Sequence, residues 1–312
     1  MSTRWAFAVI TLVMLALAGC GGADSAVPAA TPGSTAPADA TPTQPVAIRF
    51  SMQAGDAPIT CAQGAAALGL SQNGVQFNDL RFYVSNVALV DSAGAVVPVR
   101  LEQDGMWQSG VTALLDFEDG TAGCVDAGNT EMNTVISGTV AEGDYTGIQF
   151  DLGIPAPDNH QDVTVAPSPL NLPALWWSWQ GGYKFVRIDM KIDMKTEGQA
   201  GAPTGGAWFV HLGSTGCASA NEAAAPTTAC LRPNLATIRL NGFDPAQNTI
   251  VADMASFLAQ VDLSQSTPMP PGCMAGADDP DCIALFPAFG LDIATGACVE
   301  AGCPTQTLFR VE

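Results

Sequence analysis

The chain offers few residues that could carry chemistry. Its 312 residues contain two histidines, His160 and His211, so any imidazole chemistry must use one or both. His160 stands in Ile154-Pro155-Ala156-Pro157-Asp158-Asn159-His160-Gln161-Asp162, a turn-rich stretch after a strand-like run. His211 stands in Trp208-Phe209-Val210-His211-Leu212-Gly213-Ser214, a strand-like run that ends in a turn. Taken singly, either histidine is accounted for by a structural hydrogen bond. Taken together, two imidazoles suit a soft metal of low coordination number such as Cu(I), and make a poor structural zinc site, which takes four ligands.

Three of the six tryptophans crowd into Leu175-Trp176-Trp177-Ser178-Trp179-Gln180-Gly181-Gly182-Tyr183-Lys184-Phe185. If that segment is extended, Trp177 and Trp179 share a face and Trp176 points the other way. Core packing accounts for such a cluster, because each indole buries a large area; a platform for stacking a carbohydrate is the functional alternative. Met190 and Met194 offer thioethers, although burial in a strand accounts for both. Asp278-Asp279-Pro280-Asp281 offers hard oxygens to calcium, but reads equally as a solvated acidic loop. No G-x-S-x-G elbow, Walker loop or H-E-x-x-H motif is present, and we expect the chain not to be an enzyme.

Nine cysteines divide into one and eight. Met1–Arg4 is a short basic start, and Trp5–Leu17 is an apolar run too short to span a bilayer comfortably but the right length for a signal peptide. It ends in Leu17-Ala18-Gly19-Cys20, which resembles a bacterial lipobox, so residues 1–19 read as a leader and Cys20 as the lipidated first residue of the mature protein. Gly21 and Gly22 follow, with no aspartate, which implies an outer-membrane lipoprotein facing the periplasm or the cell surface. Residues 20–45 then form a Pro/Ala/Thr-rich tether with nothing to bury. The remaining cysteines, Cys61, Cys124, Cys217, Cys230, Cys273, Cys282, Cys298 and Cys303, are even in number in an exported chain and lack paired C-x-x-C knuckles. We therefore expect four disulfides, each joining neighbours in sequence.

The elements that must position these residues are strands. Val46–Met52, Leu80–Leu89, Val96–Leu101, Tyr145–Leu152, Trp208–Leu212 and Thr237–Leu240 alternate at period two between turn signals. Lys184–Met194 is the clearest, with Val186, Ile188, Met190, Ile192 and Met194 on one face and Arg187, Asp189, Lys191 and Asp193 on the other. Ile250–Val261 is the best helix candidate. The expected fold is mainly β: an antiparallel sandwich-like domain over 46–265 with long loops, and a Cys-rich segment, 266–312, packed on it. Thirty acids against 11 bases give a formal charge of −19, which excludes nucleic-acid binding, while 47% apolar residues exclude a disordered acidic tail.

Several segments together resemble the MbnP-like proteins, also called metallo-mystery pair system four-Cys motif proteins. They are Asp79–Asp91 (DLRFYVSNVALVD), Leu114–Gly120 (LLDFEDG), Asn159–Asp162 (NHQD), Trp177–Phe185 (WSWQGGYKF), His211–Cys217 (HLGSTGC) and Cys230–Asn234 (CLRPN). Cys61, Cys124, Cys217 and Cys230 look like the family's four cysteines, while the four later ones look additional. The resemblance implies a secreted or lipid-anchored copper protein, holding Cu(I), whose partner is a di-haem enzyme of the MauG/cytochrome c peroxidase type. It implies His160 and His211 as ligands, joined by a tryptophan that the partner oxidises to kynurenine. Trp177 is the favoured tryptophan and Trp179 the alternative; Trp208, three residues from His211 on a strand, faces the other way. A lipid-tethered β-domain that uses its tryptophans for stacking or packing, without copper, is the competing reading.

Overall fold

The computed structural model describes residues 42–126, 128–193, 206–266, 270–298 and 304–312. The leader, Cys20, most of the tether, Met194 and Cys303 lie outside the described residues. The main strands are β1 (Thr43–Ala54), β2 (Asn73–Asp91), β3 (Thr112–Asp116), β4 (Val135–Ala141), β5 (Tyr145–Leu152), β6 (Trp176–Ser178), β7 (Gly182–Tyr183), β8 (Val186–Asp193), β9 (Gly206–Leu212), β10 (Ala236–Asn241), β11 (Thr249–Asp253), β12 (Gly272–Cys273) and β13 (Phe309–Val311). Among the described residues, helix is confined to short turns such as α1 (Met254–Phe257) and α2 (Leu285–Phe289). β1 takes up Thr43-Gln44-Pro45, which the sequence reading assigned to the tether.

Two sheets carry the fold. The smaller runs β13-β11-β1-β4, and the larger runs β10-β5-β2-β8-β9-β12, with β3 also paired to β2. β2 is 19 residues long, enough to pair with β8 along its first half and β5 along its second. Alternation works as expected on β8: Val186, Ile188, Met190 and Ile192 enter the core between the sheets. Ile48, Phe50 and Ile136 meet them from the smaller sheet, and Phe82, Phe150, Trp208 and Val210 from the larger one. The burial of Met190 leaves its thioether as packing material.

One expectation is corrected. Ile250–Asp253 is a strand, not the start of a helix; only Met254–Phe257 is helical. The run Ile250-Val251-Ala252 is wholly buried and pairs in parallel with β1, and a strand covered on both faces has no alternation to betray it. Asp253 then accepts from the backbone N–H groups of Ala255 and Ser256, ending the strand in a capped turn. The strands otherwise pair antiparallel as expected, and among the described residues the parallel pairs are β1–β11 and β9–β12.

The outer face of the larger sheet is covered over part of its area rather than solvated throughout. Segment 154–185 folds over it and builds a second core from Tyr83, Leu114, Ile154, Val163, Leu170, Leu175, Tyr183 and Phe185. Two buried phenols hold this cover down. Tyr83 Oη donates to the Pro169 carbonyl at 2.9 Å, and Tyr183 Oη to the Leu170 carbonyl at 2.5 Å.

Disulfides Cys61–Cys124, Cys217–Cys230 and Cys273–Cys282 each join sequence neighbours, as expected. Cys298 is also disulfide-bonded. The last strand is wedged into the main core: Phe309 meets Phe150, Phe82 and Phe50 with ring centroids 5.3, 5.5 and 6.5 Å apart. Phe309→Ala is expected to lower stability by about 3–5 kcal/mol through the cavity it leaves, read by denaturant unfolding with the disulfides intact.

Candidate metal centre

The covered sheet face carries an ordered set of charges. Arg187 on β8 is in register with Arg81 on β2 and with His211 on β9, so the three stand in one row across three strands. Asp79 and Asp189 face each other in the next row. Arg81 grips Asp79 with two hydrogen bonds, the one from Nε at 2.8 Å. Arg187 Nε lies 3.1 Å from Asp79 and 2.9 Å from Asp189, with a further bond to Asp189 at 2.6 Å. The series ends at His211, whose Nε2 is 2.6 Å from Asp189 Oδ1. Asp79, Arg81, Asp189 and His211 are all buried, with Asp79 at zero exposure. Burial pushes the Asp189 carboxyl up, but the hydrogen bonds from His211 and Arg187 outweigh it and leave its pKa below the ordinary value. The His211 ring also stacks on Phe209, 5.6 Å between centroids.

His160 is held by a different set of partners. It is half-buried, in a turn where Asp158 and Asn159 both donate backbone N–H to the Pro155 carbonyl. Its Nδ1 is 3.1 Å from the Trp179 carbonyl, while Nε2 is 3.3 Å from Asn159 Nδ2 and 3.5 Å from Cys230 Sγ. A carbonyl can only accept, so Nδ1 carries the hydrogen and Nε2 presents its lone pair. Burial lowers the His160 pKa, against the opposing effect of the Trp179 hydrogen bond, and so favours the neutral ring that ligates metals. His160 Nε2 and the sulfurs of Cys217 and Cys230 lie within 4.8 Å of one another, but those sulfurs are joined in a disulfide and are not thiolates.

The turn after β9 gathers the candidates. Asn159, beside His160, donates to Ser214 Oγ at 3.1 Å and accepts the Tyr183 backbone N–H at 3.0 Å. The Trp177 indole lies flush against Gly213, two residues past His211; a Cβ there would come within 2.5 Å of the ring, so only glycine fits. Gly182 has φ +71°, and a side chain at that position would strike the Asn159 carbonyl at 2.5 Å. Beside Trp177 opens a cavity of about 390 Å³, also lined by Ser214, Cys217, Glu222 and the Met274 thioether. His160 and His211 share no described contact partner: one ring faces Cys230 and the other Asp189.

The tryptophans depart from the extended-segment expectation. β6 stops at Ser178 and Trp179 sits in a turn, so Trp179 swings round to meet Trp176 edge to face, 5.9 Å between centroids. Trp177 is thereby separated from Trp179, contrary to the shared face expected of them. Trp208 does face away from His211, into the main core, where its Nε1 donates to the Gln265 carbonyl at 3.1 Å. In the acidic loop, Asp279 accepts backbone N–H groups from Met274 and Asp281, while Cys273 and Cys282 beside it are disulfide-bonded. Both oxygens of Asp279 are thereby engaged, and Asp281 Oδ2 accepts the Gly272 backbone N–H at 3.2 Å. Sequence reasoning missed Asp189 and Asn159; the alternation on β8 placed Asp189 on the face away from the core but could not show that face being covered.

A family model described as MbnP matches residues 43–275. The chain is also similar to the solved structure of MbnP from Methylosinus trichosporium, at 31% identity. That match covers 86% of this chain and 98% of that one, with a TM-score of 0.73. No curated protein matches.

Asp116, at the far side of Arg81 from Arg187, gives the buried charges a measurable pH signature. Burial pushes its carboxyl from 3.8 up to about 7, against the opposing charge of Arg81 and the hydrogen bond from the Glu118 backbone N–H. Below pH 3.8 folded and unfolded chains both hold this proton. As pH rises toward 7 the unfolded chain releases the proton and the folded chain keeps it, so the group's contribution to stability falls across that window. Asp116→Asn is expected to remove this fall and to gain most, relative to wild type, at neutral pH and above. Urea midpoints at pH 5 and pH 8 provide the check.

Proposed function

The chain belongs to the MbnP family, and from that premise we propose that it holds copper through His160, His211 and Trp177, the last after oxidation to kynurenine. The family is associated with copper. The single observation that carries the site assignment is that the His160 loop and the Trp177 indole both meet the turn that follows His211 on β9. Trp177 lies on Gly213, and Asn159 ties the His160 loop to Ser214.

The donor set fits a soft cation. Each ring has one nitrogen engaged by a protein acceptor. The other nitrogen is His211 Nδ1 in one ring and, in the other, His160 Nε2, where a metal would replace the 3.3 Å contact from Asn159 Nδ2. Two such nitrogens suit Cu(I). An intact indole adds nothing, because its N–H donates and has no lone pair to offer. Oxidation by dioxygen or peroxide equivalents cleaves the indole C2–C3 bond with insertion of two oxygen atoms, and hydrolysis of the resulting N-formyl group releases C2 as formate. The side chain loses one carbon and gains one oxygen net, and an arylamine nitrogen is freed as a third donor. We assign that oxidation to a di-haem partner of the MauG/cytochrome c peroxidase type, whose cofactor supplies the hard chemistry; this chain is then its substrate and not an enzyme. Trp179 is the weaker candidate for modification, because its backbone carbonyl already orients His160 and its ring packs on Trp176.

In this reading the lipid on Cys20 holds the domain at the outer membrane, facing the periplasm or the surface, within reach of an exported partner. The competing use of the tryptophans as a stacking platform loses support from their geometry. Trp176 and Trp179 meet at 85°, and Trp177 is turned against Gly213, so the three rings offer no common flat surface.

Protein produced together with its di-haem partner is expected to carry copper, read by metal analysis after desalting. Replacing both histidines, His160→Ala with His211→Ala, is expected to abolish it. Copper retained by that double variant at the wild-type ratio contradicts the assignment.

A further inference from the structure

The two imidazoles are anchored through opposite nitrogens. The group facing His160 Nδ1 is the Trp179 carbonyl, and the group facing His211 Nε2 is the Asp189 carboxylate. Neither a backbone carbonyl nor an ionised carboxylate can donate, so each must accept a ring N–H. We propose that Asp189 is the positioning residue of the metal centre: it holds His211 as the Nε2–H tautomer, while the Trp179 carbonyl holds His160 as the Nδ1–H tautomer, so that copper is met by His211 Nδ1 and His160 Nε2. This rests on the reading of both histidines as ligands.

The surroundings of Asp189 make it suited to that task. Its other oxygen, Oδ2, takes two hydrogen bonds from Arg187, at 2.9 and 2.6 Å, which leaves Oδ1 for His211 alone. Arg187 is in turn fixed by Asp79, and Asp79 by Arg81. The carboxylate therefore cannot rotate away without breaking its bonds to Arg187 on its own strand and to His211 on β9. Phe209 closes one face of the imidazole by stacking. Ring position, ring plane and hydrogen placement at His211 are all set before any metal arrives. Asn159 completes the other half: its Nδ2–H points at His160 Nε2 from 3.3 Å and is shared with Ser214, an interaction that a metal at Nε2 replaces while the Ser214 bond remains.

Such outer partners of metal-ligating histidines fix the tautomer and orient the ring, and their loss commonly weakens metal binding about 10- to 100-fold. The test begins with the full chain in its unmodified, metal-free form. Long-range proton–nitrogen NMR of the two imidazoles is expected to show His160 protonated at Nδ1 and His211 protonated at Nε2. In Asp189→Asn the His211 preference is expected to be lost while His160 is unchanged. The same variant, co-produced with the haem partner, is expected to bind copper about 10- to 100-fold more weakly. Lys191→Gln, an exposed change on the same strand and face, is expected to leave copper affinity as in wild type.

A His211 ring protonated at Nδ1 in the wild-type protein overturns this proposal alone, and that reading does not depend on any variant folding. Unchanged copper affinity in Asp189→Asn overturns it as well. Copper binding that survives His211→Ala overturns the ligand assignment and the proposal with it.

Discussion

The structure depends on a run of hydrogen-bonded polar side chains, Arg81–Asp79–Arg187–Asp189–His211, laid across three strands and largely withdrawn from water. Such groups are expensive to bury. Their mutual hydrogen bonds offset that cost only while every member is present, and removing one partner of a buried pair costs about 3–5 kcal/mol. Segment 154–185 supplies the cover, and the same segment carries His160 and the Trp176–Trp179 cluster. Covering the polar run and carrying the second histidine therefore fall to one segment of the chain. A change that loosens the cover is felt both in the charge network and at the turn after β9.

That coupling explains why a site with so little redundancy can be built from a chain poor in ligands. His211 is placed by a strand and oriented by Asp189, whereas His160 is placed by a loop and oriented by a backbone carbonyl. The loop is not left to find its own position. Asn159 pins it to Ser214 and to the Tyr183 backbone, the Cys217–Cys230 disulfide lies against its imidazole, and Tyr83 and Tyr183 hold the surrounding segment by their hydroxyls. Sites held to this degree lose little in reorganisation when a ligand arrives. The indole of Trp177, slotted against Gly213 at the edge of a cavity, is fixed in place yet open on one side.

Much of this was legible in the sequence, and what was not has physical reasons. Tyr145–Leu152 and the core face of β8 follow from period-two alternation, and disulfides as such follow from the even number of cysteines after Cys20, whereas their pairing as sequence neighbours is not fixed by the count. Ile250–Asp253 was misread because a strand buried on both faces shows no period. Alternation also identified Arg187 and Asp189 as sharing a face, but only the pairing of β2 with β8 and β9 shows that Arg81, Asp79 and His211 join them there. Such register is a property of distant segments meeting, and no local pattern encodes it. Trp179 was placed on the wrong side because the strand holding Trp177 ends one residue before it, at Ser178. The histidines themselves stood out by scarcity, yet their partners did not, since Asp189 looked like one more solvent-facing acid.

The account turns on a single altered side chain. Fragmentation mass spectrometry of the peptide that contains Trp176, Trp177 and Trp179, taken from copper-loaded protein made beside its haem partner, tests it most directly. The predicted spectrum places one carbon lost and one oxygen gained at Trp177, with Trp176 and Trp179 intact. Copper-loaded protein in which all three tryptophans retain their original mass contradicts the account.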